Sequence, residues 1–95
     1  MNLIVSQAAV ADLARLHAFL AERSPTAAER AVAALVSAVQ SLEVFPERGR
    51  PSGTTGLREL IVPFGQSNYV LRYGYHRDSD EVVIVRIWHG REARP

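Results

Sequence analysis

The sequence predicts an α+β fold with its elements in the order βααβββ, a helix hairpin packed on one face of a small antiparallel sheet. Apolar residues recur at helical spacing through the first half of the chain. A loop rich in Gly, Pro, Ser and Thr then runs from Glu47 to Gly56, and beyond it come short runs of Val, Ile, Leu and Tyr broken by turn residues.

Leu3 to Val5 reads as a short strand, and Ser6 has the hydroxyl that caps the helix after it. Ala9, Leu13, Leu16 and Leu20 form the apolar stripe of that helix, with Asp12, Arg15, Glu22 and Arg23 mostly off it. Ser24-Pro25 opens the second helix, since proline in the first turn loses no hydrogen bond. Its buried stripe is Ala28, Val32, Leu35, Val39 and Leu42, and Phe45-Pro46 closes it. Three strands follow, Leu57 to Pro63, Asn68 to Tyr75 and Glu81 to Trp88, separated by turns at Phe64 to Ser67 and His76 to Asp80. The hairpin covers one sheet face and leaves the other without a helix, so function is sought on that second face.

At 95 residues the chain is one domain, residues 1–95, with a modest core. No apolar stretch reaches membrane-spanning length and no basic segment precedes a sustained apolar run, so the expected compartment is the cytoplasm. The absence of cysteine removes disulfides, thiolate nucleophiles and sulfur ligands. His17 and His76 have no ligand partners at metal spacing, and neither a metal nor another cofactor is expected. A net charge of +1 does not argue for nucleic acid. All 11 basic residues are arginine, a composition that a GC-rich coding sequence favours. Arginine binds phosphate or carboxylate bidentately but is a poor proton acceptor.

Arg58, Arg72 and Arg86 fall one in each strand after the loop. If both turns keep even pairing registers, alternation puts all three on the open face, where Arg72 lies near Arg86 and their repulsion calls for an acidic group within the fold or on a partner. The plain alternative is three unrelated surface arginines whose stems cover apolar area. Trp88 joins Arg86 on that face and His89 ends the strand, while Tyr69, Leu71, Tyr73 and Tyr75 share the core side. The segment His89 to Pro95 is polar enough to be mobile unless a partner holds it.

The ordered series of Val5-Ser6 with Ala9, Asp12 and Leu13, the Pro46 to Pro51 loop, Gly56-Leu57-Arg58-Glu59, Tyr69 to Tyr73 and Val83 to Arg91 resembles the RelE/ParE toxin superfamily, most of all its ParE branch. The resemblance spans nearly the whole chain and implies the toxin half of a type II toxin–antitoxin pair, held in a heteromeric complex by a cognate antitoxin that itself carries the DNA binding. ParE-like toxins act on DNA gyrase, whereas RelE-like relatives cleave mRNA on the ribosome.

Ribonuclease chemistry needs a base for the 2′-hydroxyl, cations for the phosphate and an acid for the leaving oxygen. Arg58, Arg72 and Arg86 are candidate cations, and the resemblance to other ribosome-dependent relatives, which use a glutamate and a terminal histidine, implies Glu47, Glu59 and His89 as candidate proton carriers. Glu59 points away from Arg58 by alternation. The lysines and C-terminal tyrosine that RelE-type members resemble one another in using are absent. The gyrase reading, which is preferred, needs only a shaped, charged surface, with Arg58, Arg72, Arg86, Trp88, His89 and Arg91 as its target- or antitoxin-binding residues. A non-toxic antitoxin-binding module of the same fold is the third alternative.

Overall fold

A computed structural model describes residues 1–95. Strand β1 (Asn2–Val5) leads into helices α1 (Gln7–Ala21) and α2 (Pro25–Ser41). Strands β2 (Arg50–Pro51), β3 (Leu57–Phe64), β4 (Ser67–His76) and β5 (Glu81–His89) follow. The expected architecture is present, with two additions. The loop contributes the two-residue β2, and β1 pairs with β5 in parallel, so the sheet is mixed and runs β1-β5-β4-β3-β2.

Local chemistry explains the element ends. The Ser6 hydroxyl accepts from the Ala9 amide at 3.1 Å and donates to the Val85 carbonyl at 2.9 Å, so one side chain caps α1 and ties it to the last strand. Ser24 caps α2 in the same way, accepting from Ala27 N–H at 3.1 Å ahead of Pro25. Small alanines at Ala9, Ala28 and Ala31 are buried among Leu16, Leu35 and Leu42 in the hairpin. Leu60, Val62, Tyr69, Leu71, Tyr73, Val82, Ile84 and Ile87 meet them from the sheet. Full burial of each larger side chain contributes about 1.5–3 kcal/mol.

Two irregularities set which residue faces where. The β3–β4 hairpin turns on two residues, Gly65 and Gln66, with Gly65 at φ 59°. Glycine takes the positive φ that two-residue hairpin turns require, at little cost. Phe64 therefore pairs with Ser67, and every even-numbered residue of β3 opposes an odd-numbered one of β4. The β4–β5 pair starts in the same odd register, His76 with Glu81, and then shifts: Tyr73 pairs with Ile84 but Arg72 with Arg86, leaving Val85 as an extra, bulged residue. Before the bulge, Val82 and Ile84 face the core. After it, Ile87 does, and Trp88 turns to the helix-free face beside Val70.

Candidate functional site

The odd β3–β4 register corrects the expected arginine trio. Arg58 pairs with Tyr73 on the helix side of the sheet, while Glu59 pairs with Arg72, which in turn pairs with Arg86. The helix-free face therefore carries Glu59, Arg72, Arg86 and Trp88. Arg58 instead holds the loop before β2, its Nη1 donating to the Gly49 carbonyl at 2.8 Å and the Glu47 carbonyl at 3.2 Å. Tyr73 completes that anchorage: its hydroxyl donates to Pro46 O and accepts from Gly49 N–H, both at 2.8 Å. Burial pushes the Tyr73 phenol up despite the Gly49 amide and the nearby Arg58 and Arg48, so it stays a neutral linker.

The Arg72–Arg86 pair does form, and two carboxylates inside the fold compensate it. Asp12 of α1, only 4% exposed, sits where β1 has ended and the edge of β5 is bare. Its Oδ2 accepts from Ile87 N–H at 2.9 Å and from Arg86 Nε at 2.8 Å, and its Oδ1 accepts from Arg86 Nη2 at 3.0 Å. One side chain thus satisfies an edge amide and a strand arginine together. Burial pushes the Asp12 carboxyl up, but the Arg86 fork, the Ile87 amide and Arg15 outweigh it and hold it below the usual carboxylate range. The reading of Asp12 as off the apolar stripe missed this role. Its spacing from Ala9 and Leu16, three and four residues away, was the available signal.

Glu59, 3% exposed, is the second carboxylate. Its Oε2 accepts from Arg72 Nη2 at 3.1 Å and Nε at 3.3 Å, and its Oε1 accepts from Arg94. Burial raises this carboxyl too, and Arg94 and Arg72 bring it net below its ordinary value. The guanidinium carbons of Arg72 and Arg94 lie 4.8 and 5.3 Å from the centroid of the Trp88 ring, within cation–π range. The tail thus folds back across the sheet, and the partner that holds it is its own chain.

His89 pairs with Tyr69 on the helix side, its ring edge-on to Tyr69 at 5.4 Å between centroids. Its Nδ1 accepts from Arg91 N–H at 3.1 Å, and its own amide donates to Glu92 at 2.8 Å. Glu92 also pairs with Arg15 of α1. These residues rim a cleft of about 700 Å³ between α1 and the β3–β4 turn, floored by Leu16, Leu20, Phe64 and Tyr69 and flanked by Phe19, which is 56% exposed. An apolar floor with mixed charges at the rim suits an amphipathic peptide better than a small polar molecule. Glu47, the remaining proton-carrier candidate, pairs with Arg77 rather than with any residue of this rim.

The helix hairpin on an open mixed sheet is the architecture expected of the small toxins of the RelE/ParE superfamily, and comparison with known proteins places the chain there. The description "ParE toxin of type II toxin-antitoxin system, parDE" matches residues 3–94, and the chain belongs to that family. It is 47% identical over 93 residues to Toxin RelE1 of Caulobacter vibrioides, spanning 98% of this chain and 97% of that protein. Toxin RelE3 of the same organism is 40% identical over 83 residues, 87% of each. A solved structure described as the chromosomal ParDE system from P. aeruginosa superposes with a TM-score of 0.76 at 26% identity, covering 94% of this chain and 95% of that one. Membership in this family implies a cognate antitoxin as partner. No helix is long and apolar enough to cross a membrane.

Proposed function

We propose that this toxin acts by binding DNA gyrase, as ParE-like toxins do, and that its antitoxin occupies the cleft between α1 and the β3–β4 turn. The observation that carries this reading is the engagement of the three strand arginines. Arg58 is bonded to loop carbonyls, Arg72 to Glu59 and Arg86 to Asp12, so no convergent set is left for a scissile phosphate. Glu59, buried between two arginines and held ionised, is a poor proton acceptor. His89 lies across the sheet from Arg72 and Trp88, and with Arg91 it belongs to the binding rim. Arg58 and Arg86 then position loop and helix, while Arg72 and Trp88 sit beneath the tail.

The RelE names of the Caulobacter relatives motivate mRNA cleavage as the second reading. Toxin freed from its antitoxin is tested in parallel on gyrase supercoiling and on ribosomes programmed with a short mRNA. Inhibited supercoiling with intact mRNA is the expected outcome. Codon-dependent cleavage with gyrase unaffected overturns it. A chain whose expression alone leaves growth unchanged is instead a non-toxic antitoxin-binding module. At the cleft, Phe19→Asp and Arg91→Ala are expected to weaken antitoxin binding in a titration calorimetry experiment.

A further inference from the structure

We propose that Glu59, Arg72 and Trp88 form a recognition site for an arginine side chain, filled in the isolated chain by its own Arg94 and open to an arginine on a protein partner. The site lies on the opposite sheet face from the cleft. Its chemistry is specific. Glu59 gives Oε2 to Arg72 and Oε1 to Arg94, so removing Arg94 leaves a buried carboxylate oxygen with no partner in the fold. The Trp88 ring beside it favours a planar, weakly hydrated cation, which a guanidinium is and an ammonium is not. Arg72 Nη1 donates to the main-chain oxygen of Pro95 at 3.1 Å, so the site takes an arginine followed by an acceptor oxygen on the next residue.

The occupant is built to exchange. The last main-chain hydrogen bond of the tail runs from Glu92 N–H to His89 O, and Glu92 is separately held by Arg15 and the His89 amide. Ala93, Arg94 and Pro95 make no backbone–backbone hydrogen bond, and the tip is held by the Arg94–Glu59 pair and by the Arg72 bond to the Pro95 oxygen. The Arg94 side chain is 56% exposed although Glu59 beneath it is buried, so Arg94 can be reached and exchanged from solvent without opening the sheet. The tip can leave while Glu92 stays anchored, and Glu59 and Arg72 remain paired beneath it. That the incoming arginine belongs to the antitoxin, the partner the family implies, rests on the function proposed above; the site itself does not.

Trp88 is the single tryptophan and reports on the site directly. In Arg94→Ala, with circular dichroism unchanged, the emission is expected to shift to longer wavelength as the ring gains water. N-acetyl-arginine amide should return it to the wild-type position at concentrations where N-acetyl-lysine amide, at equal ionic strength, leaves it unmoved. The response should be lost in the Glu59→Gln, Arg94→Ala double variant, scored only if its circular dichroism matches the single variant. An unshifted emission in Arg94→Ala, or equal responses to the two amides, overturns the proposal on the single variant alone. Neither readout involves gyrase or ribosomes, so failure of the target assignment and failure of this site are told apart.

Discussion

Asp12 and Glu59 are both buried carboxylates that grip an arginine of the helix-free face, yet they hold different things together. Asp12 binds a strand arginine and a strand amide, so its partners are fixed by the sheet and it fastens α1 to the edge of β5. Glu59 binds one arginine fixed by the sheet and one carried on the tail. The same ion chemistry therefore closes the fold at one point and makes a releasable contact at the other. Whether each partner's backbone is itself held decides which.

Substitutions can break that contrast in order of size. Asp12→Ala strips the Ile87 amide and the Arg86 guanidinium of their acceptor at once and is expected to cost about 3 kcal/mol in urea unfolding, since buried groups left unpaired are expensive. Glu59→Gln keeps one acceptor for Arg72, which still stacks on Trp88, so a smaller loss of about 1–2 kcal/mol is expected from the same measurement. If Glu59→Gln proves as costly as Asp12→Ala, the division into fastener and releasable contact is wrong.

Acid sharpens the comparison. Both carboxyls are held below their ordinary values, so their stabilisation is complete above the unfolded-state values near about 4 and disappears as pH falls through the lower folded-state values. Thermal unfolding of the wild type should therefore lose midpoint temperature steeply below about pH 4. Asp12→Asn, which cannot titrate, should flatten that slope. The smallest effect is expected for Arg94→Ala, about 1 kcal/mol by the same unfolding assay, because Arg72 still holds Glu59 and the oxygen that Arg94 leaves is opened to water as the tip departs.

The helices, their serine caps, the last three strands and the core side of β4 were all legible in the sequence, because period and capping chemistry are local. The arginine arrangement was not. It depends on two one-residue events, a two-residue turn at Gly65-Gln66 and a bulge at Val85, and each reverses every facing beyond it. The need for an acid near Arg72 and Arg86 was readable from like charges set side by side. Which acids answer it was not, since Asp12 meets Arg86 across 74 residues of chain and Glu59 meets Arg72 only in the odd register. The parallel placement of β1 likewise follows from where α1 returns to the sheet, which no local pattern records.

That placement has a kinetic consequence. Ser6 bonds to Val85 across 79 residues, and β1 has no strand partner other than β5. During synthesis the first strand and its helix hairpin must wait, with their apolar faces uncovered, until residues 81–89 have left the ribosome. A nascent chain can therefore neither close its sheet nor complete its cleft until β5 has emerged to receive β1 and α1.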